Sequence, residues 1–204
     1  MDEVNTTSCR AKGLVRAQDG TRIAYERYGE GPPVILVGGA PGTAGAERAL
    51  AGLLARYFSV VAYDRRDAAD CGESEIADLA ALVTAVGGAS GTAAVHGTAS
   101  GGALALAAAA AGVPVGPVSV YEPTCGADQA DRLGRVRARV LVVDGGASPA
   151  GTRRAARTVA AAVPRGRHRT LTGQTHEVAP HVLAPVLADF YGEDPAGDRA
   201  LTPP

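Results

Sequence analysis

The sequence predicts an α/β fold: a mostly parallel central sheet with helices on both of its faces. Two observations carry this prediction, a β-hairpin pattern near the start of the chain and, after it, short apolar runs that alternate with helix-period segments. Such alternation is typical of parallel sheets, because each crossover helix packs back onto the sheet. The length of 204 residues favours one domain over residues 1–191, followed by a flexible tail over residues 192–204.

The hairpin is predicted by two β-like runs, Gly13–Ala17 and Arg22–Arg27, on either side of Asp19-Gly20. An Asp-Gly pair favours the tight turns that join antiparallel strands. The later strands are short runs of mainly apolar residues, as expected for strands that are buried on both faces. These strands are Val34–Val37, Ser59–Tyr63, Thr92–His96, Val118–Tyr121, Val140–Val143 and Arg167–Leu171.

Segments with apolar residues three and four positions apart separate the strands and predict helices. The predicted helices are Ala46–Arg56, Glu75–Val86, Ser100–Ala111, Arg153–Val163 and His181–Tyr191. In sheets of this kind, ligands bind beyond the carboxyl ends of the strands. The residues to examine for a site are therefore those in the loops after Val37, Tyr63, His96, Tyr121, Val143 and Leu171.

Charge and composition exclude several classes of function. The chain has 20 Lys and Arg against 21 Asp and Glu, and 4% of its residues are aromatic, so it lacks the basic surface and stacking platform of a nucleic-acid binder. No apolar run reaches the roughly 18 residues of a membrane span. No signal-peptide pattern, metal-ligand spacing or phosphate loop is present. We expect a cytoplasmic protein that acts on a small molecule without a cofactor, a nucleic acid or a membrane.

The segment Gly97-Thr98-Ala99-Ser100-Gly101-Gly102 follows a predicted strand and leads directly into a helix. A strand, then Gly-x-nucleophile-x-Gly, then a helix forms the sharp turn called the nucleophile elbow. The central position holds Ala99, and a methyl group cannot attack a carbonyl. The sequence therefore predicts the shape of the elbow without its nucleophilic chemistry, through natural divergence or through a replacement.

Five further segments resemble one known family. They are Asp19–Tyr25, Val34–Pro41, Val61–Arg66, Val140–Gly146 and Gly173–His176. Taken in order with the elbow, and with their places at predicted strand ends, they make the chain similar to α/β-hydrolase-fold proteins over nearly its whole length. That resemblance implies a triad in the order nucleophile, acid and histidine.

The resemblance implies that His176 is the general base, since the family places its histidine after the last strand. Imidazole can take up and return a proton near neutral pH. The family's acid often follows the seventh strand, but Ser148 stands there. Glu122, directly after the preceding strand, is where some members carry the acid, while Asp144 is the weaker candidate. We expect Glu122 to orient His176; a solvated carboxylate at the strand end is the alternative for Glu122.

The resemblance also implies an oxyanion hole made by the backbone N–H of Ser100 and one from the turn Gly38-Gly39-Ala40. Both depend on backbone shape, so both can persist without a nucleophile. Thr98 and Asp64 are further candidates for contact with a substrate, although Asp64 can instead pair with Arg65 or Arg66. For the Ser100 side chain, the prediction is an N-cap of the helix that follows.

Between Glu122 and Val140 there is room only for a short loop and one helix, where family members often insert a cap. We therefore expect an open pocket, or one that a second copy or another partner covers.

Three functions fit these expectations. The first is a non-hydrolytic enzyme, such as a cyclase, lyase or isomerase, that uses His176 and the oxyanion hole on a small molecule. The Ala- and Arg-rich composition, typical of a GC-rich genome, is compatible with an actinobacterial biosynthetic pathway. The second is an ester, thioester or lactone hydrolase whose serine is replaced by Ala99. The third is a binding or scaffolding protein without activity.

Overall fold

The computed structural model describes residues 10–39, 47–66, 72–125 and 130–193. Within these ranges the chain forms one eight-stranded sheet. The strands are β1 (Arg10–Arg16), β2 (Arg22–Tyr28), β3 (Pro33–Val37), β4 (Ser59–Tyr63), β5 (Ala93–Thr98), β6 (Val115–Tyr121), β7 (Val140–Gly145) and β8 (Gly166–Leu171).

The strand order is β1-β2-β4-β3-β5-β6-β7-β8. β1 pairs with β2, and β2 with β4, in antiparallel fashion. Every other neighbouring pair is parallel, so the predicted fold class is confirmed. Because β3 to β8 run in one direction, their carboxyl ends meet at a single edge of the sheet.

The described helices are α1 (Arg48–Leu54), α2 (Glu73–Val86), α3 (Ser100–Ala110), α4 (Ala130–Leu133), α5 (Ala150–Ala162) and α6 (Pro180–Gly192). Apolar residues on one face of the sheet pack with α2, α3 and α5. Those on the other face pack with α1 and α6. Side chains such as Ile35 and Leu36 alternate between the two clusters, which accounts for the continuous apolar runs in the strands.

Several boundaries differ from the predictions. β6 begins at Val115 and α5 begins at Ala150. β5 extends to Thr98, because Thr98 still pairs with Tyr121 on β6. Helix α6 extends through Gly192, so residue 192, where the predicted tail begins, belongs to a helix. Residues 194–204 and Ala40 lie outside the described residues.

The segment between Glu122 and Val140 contains one short helix, α4, among its described residues, in agreement with the prediction of a short connection. Across the described ranges, no helix has the length and apolarity that a membrane crossing requires.

Candidate active site

The turn between β5 and α3 has the backbone of a nucleophile elbow. Ala99 adopts φ 50° and ψ −115°, a conformation that residues with a Cβ rarely take. A Cβ built on Gly97 would lie 2.4 Å from the carbonyl oxygen of Gly101, so position 97 must be glycine for the turn to close this tightly. The structure thus retains the elbow, with a methyl group at its apex.

The turn after β3 lies directly against the elbow. A Cβ built on Gly101 would approach the carbonyl oxygens of Val37 and Gly38 to 2.1 and 2.6 Å. One built on Gly39 would lie 3.7 Å from the Cβ of Ala99. The predicted oxyanion-hole segments, at Ser100 and at Gly39, therefore both lie next to position 99. Ala40, the third residue predicted there, is outside the described part of the chain.

Glu122 and His176 are in hydrogen-bond contact. His176 Nδ1 lies 2.9 Å from Glu122 Oε2, and Glu122 Oε1 accepts a hydrogen bond from the Gly145 backbone N–H at 3.0 Å. The Glu122 side chain is 1% exposed, whereas that of His176 is 60% exposed. When Nδ1 carries the ring proton, it donates a hydrogen bond to the carboxylate. The neutral ring then has an unprotonated Nε2 that can accept a proton.

Backbone hydrogen bonds place this pair beside the elbow. The Ala99 N–H donates to the Tyr121 carbonyl, and the Thr124 N–H donates to the Ala99 carbonyl. These two bonds flank Glu122, whose own φ is 45°. Ala99 and Glu122 are the only non-glycine residues with positive φ in the described ranges. Backbone strain is thus concentrated at the two strand ends where the site was predicted.

The loop that carries His176 is held at several points. The Tyr121 hydroxyl donates to the Thr175 carbonyl, and the Ala147 N–H donates to the Gln174 carbonyl at 2.9 Å. The Gln174 side-chain oxygen accepts a hydrogen bond from the Ala179 N–H at 2.9 Å. Burial raises the pKa of Tyr121, which keeps its hydroxyl protonated and able to donate.

The alternative acid, Asp144, contacts a different histidine. Asp144 is fully buried, and its Oδ2 lies 2.8 Å from Nε2 of His168 on β8. His168 lies opposite Val142, two residues before Asp144 on the neighbouring strand β7, and its ring reaches the Asp144 carboxylate from there. Ser148, where the family's acid often stands, is buried with no partner for its hydroxyl among the described residues.

Arg65 connects four elements around the oxyanion segments. Its Nε and Nη2 donate to Glu75 on α2 at 3.0 and 2.8 Å. Its Nη1 donates to the Gly38 carbonyl at 2.8 Å and to the Ser100 hydroxyl at 3.1 Å. The prediction that the Ser100 side chain caps helix α3 was wrong, since Ala99 is the N-cap and Ser100 binds Arg65 instead.

Asp64, predicted to contact substrate or to pair with Arg65 or Arg66, is exposed. Arg65 is paired with Glu75. Arg66 is paired with Asp78 and Asp19.

His176 lines a small cavity of about 180 Å³. Thr98 and Glu47 also line it, and Glu47 is a carboxylate that the sequence analysis did not single out. Its pKa is raised because burial disfavours the charged form. The described residues include no cluster of three metal-ligating side chains, and Asp64 is not among the residues that line this cavity.

No family model matches the chain, but solved structures resemble it over most of its length. An α/β hydrolase from Sphaerobacter thermophilus is 33% identical and has a TM-score of 0.78, over 88% of this chain and 100% of that one. A serine hydrolase involved in carbazole degradation is 16% identical and has a TM-score of 0.77, over 90% of this chain and 99% of that one. An enol-lactonase from Burkholderia xenovorans is 16% identical and has a TM-score of 0.75, over 89% of this chain and 100% of that one. The chain belongs to the α/β-hydrolase family.

Proposed function

We propose that this protein is a cofactor-independent, non-hydrolytic enzyme in which His176 is a general base. The observation that carries the proposal is the 2.9 Å contact between His176 Nδ1 and Glu122, beside an elbow that holds Ala99. A carboxylate behind an imidazole orients the ring and stabilises the imidazolium that forms when the ring takes a proton. Cyclisation, elimination and isomerisation of a small carbonyl compound all begin with such a proton transfer.

In this mechanism His176 Nε2 removes a proton from carbon, and the developing oxyanion accepts hydrogen bonds from the backbone of Ser100 and of the Gly38–Ala40 turn. Donors that are already oriented towards the developing charge stabilise it without reorganisation. The elbow is what presents the Ser100 N–H. This gives a reason for the chain to retain strained backbone at Ala99 although no nucleophile stands there.

Phenylacetone in D2O tests the proposal, because a base that removes an α-proton from this ketone brings in deuterium, which NMR measures. We expect the wild-type chain to accelerate this exchange and His176→Ala to lower the rate about 100-fold or more, the usual weight of a general base. His181→Ala, which changes an exposed histidine on α6, is the matched control and should exchange at the wild-type rate. Equal rates for His176→Ala and wild type would refute the proposal.

A serine hydrolase that has lost its nucleophile is the second candidate, and the similar structures favour it because they are described as a hydrolase, a serine hydrolase and an enol-lactonase. Ala99→Ser supplies the missing hydroxyl at the apex. If hydrolysis is the function, this variant should gain hydrolysis of p-nitrophenyl acetate and react with a fluorophosphonate probe. Both gains should vanish in Ala99→Ser/His176→Ala, since the hydroxyl needs the base. An Ala99→Ser variant that stays unreactive would exclude this candidate.

A further inference from the structure

Two carboxyl groups line the cavity beside the dyad: Glu177, which is exposed, and Glu47, which is half-buried. Glu47 precedes helix α1 and lines the same cavity of about 180 Å³ as Thr98 and His176. Glu122 already orients His176 from the buried side. The mechanism above therefore leaves Glu47 without a role, although it is the carboxyl group nearest in sequence to the oxyanion turn.

Among the described residues, no structural task occupies this side chain. Glu47 is the N-cap residue of α1, yet its carboxyl makes no capping hydrogen bond. Within residues 10–39, 47–66, 72–125 and 130–193, no hydrogen bond or ion pair engages that carboxyl. Its neighbour Arg48 lies 3.8 Å from a different carboxylate, Glu26. A half-buried carboxyl that neither caps a helix nor pairs with a cation is available to a ligand.

Burial also favours the form of Glu47 that can donate a proton. Removal from water disfavours the carboxylate, and the pKa of Glu47 is accordingly raised. Enzymes use this arrangement when a carboxylic acid must deliver a proton near neutral pH.

We propose that Glu47 is the general acid that works with His176: it gives a proton to the substrate oxygen as His176 takes one from carbon. This inference rests on the proposed function of His176. The electron pair of the C–H bond moves into a new double bond, the bond to the departing oxygen breaks, and that oxygen leaves as a hydroxyl with the Glu47 proton. Solvent then moves the proton from His176 back to Glu47. The substrate class is a small molecule with a poor oxygen leaving group.

The cavity is compatible with a substrate of this size. A cavity of about 150 Å³ accommodates a benzene ring, and this one measures about 180 Å³. Benzisoxazoles are suitable probes, because a base removes their C3 proton while the N–O bond opens to a phenolate. The nitro group of 5-nitrobenzisoxazole makes its phenolate a good leaving group that needs no proton, whereas the phenolate of unsubstituted benzisoxazole is more basic.

The test compares both probes in wild type and Glu47→Gln. We expect Glu47→Gln to lower the rate on benzisoxazole about 100-fold and the rate on 5-nitrobenzisoxazole about 3-fold or less. Partial unfolding would lower both rates equally, so the ratio of the two rates reports proton donation and not stability. Glu30→Gln, at an exposed glutamate beyond β2, should leave the ratio unchanged.

Two results would overturn the inference: equal losses on the two probes, or no loss on either. The proposed function fails in a different way, namely with equal rates in wild type and His176→Ala on both probes. If His176→Ala slows the reaction of both probes but Glu47→Gln leaves the ratio of the two rates unchanged, only the role proposed for Glu47 is refuted.

Discussion

At the scale of single residues, the site is marked by backbone conformation as much as by side chains. Ala99 and Glu122 both have positive φ, which costs about 1–3 kcal/mol for a residue with a Cβ. The hydrogen bonds that Ala99 makes to Tyr121 and Thr124 hold this conformation in place. The same bonds place Glu122, so the elbow and the acid that orients His176 are parts of one local structure.

A second histidine is buried just below the elbow. His96 is fully buried on β5, with Nδ1 2.8 Å from the Ser119 hydroxyl, which in turn contacts the Tyr191 hydroxyl. Burial lowers the pKa of His96 to about 4, because the charged ring has no compensating anion there. This histidine therefore supports packing in its neutral form.

His96 gives the protein an acid-sensitive stability. The folded state keeps the ring neutral, whereas the unfolded chain binds a proton below about pH 6.5. The contribution of His96 to the free energy of unfolding is thus complete above that pH, and it is lost as the pH falls towards about 4. We expect the free energy of unfolding in urea to fall by about 3 kcal/mol between about pH 7 and pH 4 from this group. His96→Gln should remove that part of the decline; an equally steep decline in the variant would contradict the assignment.

At the scale of elements, Arg65 joins the end of β4 to its surroundings. Its side chain is 2% exposed and forms a buried ion pair with Glu75 on α2. The remaining nitrogen donates to Gly38 after β3 and to Ser100 at the start of α3. One guanidinium therefore contacts both segments that are expected to bind an oxyanion. We interpret Arg65 as a positioning residue, which acts by holding those segments at a fixed separation.

Arg65→Met alone should lower the free energy of unfolding by about 3–5 kcal/mol, because it leaves Glu75 buried without a partner. Arg65→Met/Glu75→Leu removes both charges and should regain most of that stability. The double variant should still exchange phenylacetone at least about 10-fold more slowly than wild type, since Gly38 is no longer held. Urea unfolding and the exchange rate are the two measurements. A stable double variant with the wild-type exchange rate would show that Arg65 does not position the site.

At the scale of the whole molecule, the parallel strands bring distant parts of the chain to one edge. The elbow after β5, Glu122 after β6 and His176 after β8 come together because neighbouring strands end at the same level. The two core clusters on opposite faces of the sheet fix the strands that carry these loops. A site can thus be assembled without a separate cap domain in the described residues.

The same geometry explains what could be predicted from the sequence. Short apolar runs locate the strands, and the residues just after them were therefore expected at one edge; the contact between Glu122 and His176 follows from that rule. The pair of Arg65 with Glu75, the pair of His168 with Asp144 and the place of Glu47 could not be predicted this way. They depend on how α1 and α2 pack and on the register between β7 and β8, for which a single sequence carries no periodic signal.

The most direct test of the central claim is the phenylacetone exchange rate of the chain as it stands, with Ala99 in place, against that of His176→Ala. If the dyad of Glu122 and His176 is a working base without a nucleophile, the wild-type chain exchanges deuterium at least about 100-fold faster than the variant. If the two proteins exchange at the same rate, the chain has kept the shape of the site without its chemistry, and the account is wrong.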